Sequence, residues 1–206
     1  MRPLPFTNLG AGIAFVVVII IFAVVQLDSG SGTLRGGGWR PGRSDRFDRG
    51  SLLVVIVSGG VGVALSAIFA TKLEFATIAA SNPAVRWVVF VVGLAAIVGG
   101  SALREWAVRT LGASFTFDVR VAADQRVVTG GPYRFLRHPS YTGLIASYVG
   151  LGLTFGNWLS LAVIAILPTA GLVYRIRVEE SALREKLGAA YAQFASGRKR
   201  IIPGIW

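Results

Sequence analysis

The chain has 206 residues, of which 53% are hydrophobic and only 15% charged, where a water-soluble domain carries about a quarter charged residues, so much of its surface must face something other than water. It contains no cysteine and a single histidine, His138, which excludes disulfides and thiolate chemistry and leaves no basis for a protein-built metal site. The net charge of +11 fits either nucleic acid or an anionic membrane face, and the positions of the charges decide between them.

Leu9 to Leu27 is uncharged over 19 residues, enough for a helix to cross a hydrocarbon core roughly 30 Å thick. Arg2 ahead of it gives a superficial likeness to a signal peptide. The apolar run is too long for one, however, and Gln26-Leu27-Asp28 is a poor cleavage site, so a retained span is expected. Residues 28–50 are rich in Gly, Ser and Arg and read as a flexible linker whose Arg35, Arg40, Arg43, Arg46 and Arg49 set topology and meet lipid headgroups. Further uncharged runs cover 51–71 and 87–103, the last with Pro83 near its start and Trp87 and Trp106 near its ends, where aromatic residues favour the interface. The glycines at 59–62 and 93–100 read as helix-packing positions.

Residues 139–174 are uncharged for 36 positions, too long for one simple span. Phe155-Gly156-Asn157-Trp158 near the middle reads as a tight turn, so the segment is expected to be a helical hairpin, with Pro168 a place for a kink. The charges support this. With five spans, one side holds only Arg2, Lys72 and Arg86, while the other holds the remaining 18 of the 21 Lys and Arg residues. A single span over 139–174 would instead divide them 10 against 11. The positive-inside rule favours five spans, with loop 104–138 and the C-terminus cytoplasmic. The charge is therefore topological, and no basic nucleic-acid-binding module is visible. From Arg175 onward Ile176, Leu183, Leu187, Ala190, Tyr191 and Phe194 recur at helical spacing, which predicts an amphipathic cytoplasmic helix ended by Gly197. The predicted fold is an all-α integral membrane protein: spans 9–27, 51–71 and 87–103 form an N-terminal part (1–103), and loop, hairpin and tail form a catalytic part (104–206).

The 35-residue loop 104–138 is where chemistry is expected, because long structured loops tend to be functional. Phe115, Phe117, Val119 and Val121 alternate with polar residues, which predicts a short extended segment, and Ala122-Ala123-Asp124-Gln125 turns the chain into Arg126-Val127-Val128. No glycine-rich dinucleotide fingerprint follows a strand. Arg137-His138-Pro139-Ser140-Tyr141-Thr142-Gly143, preceded by Val127-Val128-Thr129-Gly130-Gly131-Pro132-Tyr133 and followed by Glu179-Glu180, Tyr191, Phe194 and the IPGIW end, resembles the isoprenylcysteine carboxyl methyltransferase family of integral membrane enzymes that use S-adenosylmethionine (SAM). The resemblance covers roughly residues 100–206.

The resemblance implies that SAM is held by Asp118, Gln125, Arg126, Val127, Val128, Tyr133, His138, Pro139, Ser140, Tyr141 and Glu179. It also implies that Arg175 engages a lipophilic or lipidated acceptor entering from the bilayer, most simply an isoprenylcysteine-like carboxylate, with no metal and no nucleic acid involved. Two positions depart from the family pattern: Asp118 stands where the family often has Gln. Gly197 stands where it often has Arg, with Arg198 and Arg200 the nearest replacements. Physically, backbone donors and His138 suit the carboxylate of SAM, Glu179 suits its ammonium or a ribose or adenine donor, and Arg175 lies on the same helix face as Glu179. A carboxylate acceptor is ionised at neutral pH, so the chemistry asks for alignment and exclusion of water rather than for a base.

Structural readings stand beside these. His138-Pro139 is also a helix-start device, Tyr133 and Tyr141 are also interface anchors, and Glu180 points about 100° away from Glu179, toward solvent or toward Arg177 or Arg184. The rival functions are methylation of a lipid amine or small thiol, which would need Glu180 or His138 as a base, an NADPH-dependent sterol-type reductase, and a non-catalytic membrane protein. The ratio of 18 Arg to 3 Lys points to a GC-rich genome and a bacterial plasma membrane.

Overall fold

The computed structural model describes residues 2–31, 44–78, 81–116, 119–122, 126–202, 204 and 206. Five long helices dominate them: α1 (Leu9–Ser31), α2 (Ser51–Lys72), α3 (Pro83–Leu111), α4 (Pro139–Phe155) and α5 (Trp158–Ser196). All but α4 have the length and apolar composition to cross a membrane. Large apolar side chains such as Ile20, Leu53, Val88 and Ile166 are exposed on them, as lipid contact allows. The chain is an integral membrane protein. α4 has 17 residues, about 25 Å at the helical rise, and carries no charge.

Lipid offers no hydrophobic drive between helices, so close backbone approach and hydrogen bonds hold them together. α3 and α4 meet along glycines. A Cβ on Gly93 would stand 2.7 Å from the Gly150 carbonyl oxygen, and one on Gly150 would stand 2.6 Å from that of Gly93. Gly100 and Gly143 oppose each other in the same way two turns along. The Ser147 hydroxyl donates across this seam to Ile97 O (3.3 Å). α2 and α5 are joined by a reciprocal pair, Ser66 Oγ to Ser160 O (3.1 Å) and Ser160 Oγ to Ser66 O (2.7 Å). Between the helices, Ala70, Ile97, Leu151, Phe155 and Ile164 form a buried core against which Phe15 and Phe22 of α1 pack.

The expected turn at 155–158 is present. Gly156 ends α4 in the left-handed region (φ 59°, ψ 34°). Asn157 caps α5 by accepting from Leu159 N and Ser160 N, both at 3.0 Å. α3 starts earlier than its uncharged run, with Asn82 as N-cap and Pro83 at its first position, and continues to Leu111.

Three expectations are corrected. The amphipathic segment after Arg175 is not a separate helix, because no helix-stopping residue lies between Tyr174 and Arg175, so α5 runs on for 39 residues. Its break lies at Gly188 (φ 51°, ψ −124°), while the backbone passes Pro168 helically. The linker is not uniformly free: Ser44–Arg46 (β1) pairs antiparallel with Arg120–Ala122 (β2), a minimal sheet in an otherwise helical chain. Val119 and Val121 are buried against Val178 and Ala182 of α5, which is the alternation read from the sequence, and the strand that pairs with this segment comes from the linker.

Candidate functional site

α4 begins at Pro139 and runs 17 residues to the turn, and α5 reaches Arg175 after a return of similar length. Equal lengths at equal rise bring His138 and Arg175 to the same end of the hairpin. The expected loop 104–138 begins as helix, because α3 runs on to Leu111; Leu111 and the described residues of 114–138 lie at that end too, and with α5 they enclose a cavity.

Arg126, Val127, Val128, Tyr133, His138, Ser140, Tyr141, Arg175 and Glu179 all line the cavity. Pro139 does not; it is buried at the first position of α4. Asp118 and Gln125 lie outside the described residues. Leu183, Leu187, Tyr191 and Phe194 of α5 complete an apolar wall with Leu111 and Val119. Two polar atoms here lack hydrogen-bond partners among the described residues: the buried Tyr191 hydroxyl on the cavity wall, and Nε of Arg104 behind Ser140.

The centre of the site is a chain of contacts. Arg175 Nε donates to Tyr141 Oη (2.8 Å), and that hydroxyl donates to Glu179 Oε2 (2.7 Å). Arg175 Nη1 donates to Asp48 Oδ1 (3.1 Å) and Ser51 Oγ (3.2 Å). The His138 and Tyr141 rings stack with centroids 5.5 Å apart, and His138 Nδ1 faces Glu179 Oε2 at 3.8 Å. Arg104, only 5% exposed, donates from Nη1 to Ser140 Oγ at 2.6 Å and so fixes a cavity-lining hydroxyl.

Of the outcomes expected for it, Glu180 shows the pairing with Arg184 rather than a solvated side chain. It is 1% exposed and accepts from Arg137 Nη1 (2.8 Å), His138 Nε2 (3.3 Å), Arg184 Nη2 (2.9 Å) and both Nε and Nη2 of Arg200 (3.1 and 3.0 Å). A carboxylate in this setting only accepts, so the hydrogen-bond pattern assigns the donor role to Nε2 of His138. The 100° offset between neighbouring helical residues aims Glu179 at the cavity and Glu180 at the C-terminal tail. That tail holds the His138 segment from the other side: Arg137 N donates to Lys199 O and His138 N to Arg200 O, both at 2.9 Å, and Thr142 Oγ1 donates to Ile201 O at 2.8 Å. Of the two replacements for the arginine missing at Gly197, Arg200 serves Glu180. Arg198 lies over the Phe194 ring (4.6 Å to its centroid).

Asp48 and Tyr133 have shifted pKa values. Burial alone would raise the Asp48 carboxyl, but hydrogen bonds from Ser51, Leu52 N and Val119 N, with the Arg175 charge, bring it below its ordinary value. Burial pushes the Tyr133 phenol up, and Glu179 and Tyr141 add to the shift, so it stays a protonated donor.

Sequence reasoning missed Asp48, Ser51 and Arg104. The signal for the first two was an Asp followed three residues later by Ser at the start of an apolar run, a helix-cap pattern. Nothing local tied it to Arg175, 127 residues away. The signal for Arg104 was a lone charge closing the third uncharged run.

Residues 88–190 match the family model described as phospholipid methyltransferase. Protein-S-isoprenylcysteine O-methyltransferase A of Arabidopsis thaliana is 30% identical over 168 residues, which cover 75% of this chain and 85% of that protein. The corresponding protein of Saccharomyces cerevisiae is 34% identical over 106 residues, 50% of this chain and 44% of its own length. Among solved structures, the eukaryotic intramembrane Ras methyltransferase ICMT (isoprenylcysteine carboxyl methyltransferase) aligns over 76% of this chain at 26% identity and a TM-score of 0.56. This chain spans about half, 53%, of that structure's chain.

Proposed function

The chain belongs to the isoprenylcysteine carboxyl methyltransferase family, and we propose that it methylates the carboxylate of a lipophilic, isoprenylcysteine-like acceptor with SAM as the donor. The observation that carries this reading is the placement of a buried arginine, Arg175, and a carboxylate, Glu179, on one cavity wall, joined through Tyr141.

SAM supplies an electrophilic methyl group on a sulfonium. The residues fit it. The partnerless Tyr191 hydroxyl and the Glu179 carboxylate provide an unused donor and an acceptor for its polar groups, and Val127, Val128, Leu183, Leu187 and Phe194 offer apolar walls to its adenine. His138, Ser140 and Tyr133 complete its cradle, with Asp118 and Gln125 proposed from the family pattern. Arg175 holds the acceptor's carboxylate, for which its planar fork is suited. That carboxylate is ionised at neutral pH, so the protein moves no proton. Its task is to align the partners and exclude water. The acceptor enters laterally from the bilayer, and loop 104–138 and the C-terminus face the cytoplasm of a bacterial plasma membrane in a chain that crosses five times.

An amine acceptor would have to lose a proton to a base. Glu180, one of the two residues that could serve as that base, is saturated by Arg137, His138, Arg184 and Arg200, and the other, His138, is turned by its Nε2 toward Glu180, which favours the carboxylate.

The test is transfer of labelled methyl from SAM to an N-acetylated S-prenylcysteine by purified protein in detergent. Base-labile label in the acceptor is the expected result. NADPH binding without SAM binding, or label only in base-stable amines of a lipid extract, would overturn the reading. Arg175→Ala should abolish turnover, by at least about a hundredfold for a lost charge-assisted contact, while leaving SAM binding within about twofold.

A further inference from the structure

The residue behind Arg175 lies outside the family-matched segment 88–190. Asp48 stands where the linker enters α2, and 4% of its surface is exposed. Its carboxylate is anchored before Arg175 is considered: Oδ1 accepts from Ser51 Oγ (2.8 Å) and Val119 N (3.4 Å), and Oδ2 from Leu52 N (3.3 Å). Phe47 N, next in the chain, donates to Val119 O at 2.8 Å, and Val119 is part of the cavity wall. Asp48 is thus a fixed point built from α2 and the loop. An arginine side chain is long, and left alone it samples many rotamers. Here the guanidinium is gripped at two separate atoms, Nε by Tyr141 and Nη1 by Asp48 and Ser51, which sets the plane of its fork.

We propose that Asp48 is a positioning residue for methyl transfer, holding the Arg175 guanidinium in the plane that receives the acceptor's carboxylate. This rests on the reading of Arg175 as the acceptor's clamp. The rival is that Asp48 merely secures the start of α2 through Ser51 Oγ and Leu52 N, and the chemistry separates the two: Asn keeps one acceptor oxygen for these local bonds but carries no charge for Arg175. Asp48→Asn therefore retains a local acceptor and removes the charged anchor.

The experiment uses the full chain in detergent as wild type, Asp48→Asn, Arg175→Lys and the double variant. Methyl transfer to an N-acetylated S-prenylcysteine is measured together with SAM binding and thermal unfolding. Asp48→Asn should raise the acceptor KM by on the order of tenfold, the loss expected for one charge-assisted hydrogen bond, with SAM affinity within about twofold. In the Arg175→Lys background it should add less than about twofold, because residues acting as a unit are not additive. An unchanged acceptor KM, or the same penalty in both backgrounds, would overturn the proposal. Absence of turnover by the wild type would instead count against the function proposed above. Thermal shifts then decide on Asp48 alone: strictly additive shifts overturn the pairing, and non-additive ones support it.

Discussion

The α3–α4 seam and the Glu180 cluster lie on either side of the same motif and are held by opposite means. Along the seam no side chain is charged until Arg104, and contact is backbone against backbone at Gly93, Gly100, Gly143 and Gly150. Around Glu180 one carboxylate gathers three arginines and a histidine from the loop, α5 and the tail. The difference follows from the solvent. Inside lipid, helices gain from close packing of small residues; where the protein meets water, the chain can collect ions, provided each buried one is paired. The seam fixes where α4 starts, and the cluster fixes how its first residues are turned toward the cavity.

The seam is the stiffer of the two and should break first. Gly143→Val would drive side-chain atoms into the backbone of α3 at Gly100 and Arg104, and no rotamer relieves a backbone clash. Loss of the monodisperse folded species in size-exclusion chromatography is expected, and a folded, active variant would refute the described helix contact. Glu180→Ala comes next. It leaves Arg137 and His138 buried beside each other without their carboxylate, and breaking a buried pair costs about 3–5 kcal/mol, readable as a fall in thermal stability. SAM binding should fall with it, because His138 loses its anchor.

Smaller effects sharpen the contrast between buried and exposed ions. Asp48 has its folded pKa below the unfolded value of 3.8, so its contribution to stability is complete above that value and is lost as pH falls through the folded one. Acid unfolding curves of wild type and Asp48→Asn should begin to converge as pH falls below about 4 and meet only below the lowered folded value, and parallel curves would contradict the ion pair. Arg184 also touches Glu180, but its side chain is 54% exposed. Arg184→Ala should therefore change stability by no more than about 0.5 kcal/mol, against several for removal of the carboxylate it meets.

Much of this was legible before the structure. The uncharged runs located the long helices, and Gly156-Asn157 marked the hairpin turn. The motif from Val127 to Gly143 with Glu179 named seven residues that line one cavity, and Arg126 and Arg175, named beside it, line it too. For Glu180 the pairing with Arg184 was legible but its burial was not, because helical geometry says which way a residue points but not what waits there. In this case the tail beyond Gly197 folds back over it. Asp48 was missed because its local pattern is complete as a helix cap, and the arginine it also serves is far away in sequence.

The sequence by itself determined that the chain lives in a membrane and where its helices turn, because hydropathy and turn chemistry act over short ranges. The site residues of the second half were named by the motifs of the family it resembles. Only the tertiary structure decided that the linker meets Arg175 through Asp48 and that Glu180 is the buried hub. Ion pairs depend on the distance between atoms brought together by packing, and spacing along the chain does not record that distance.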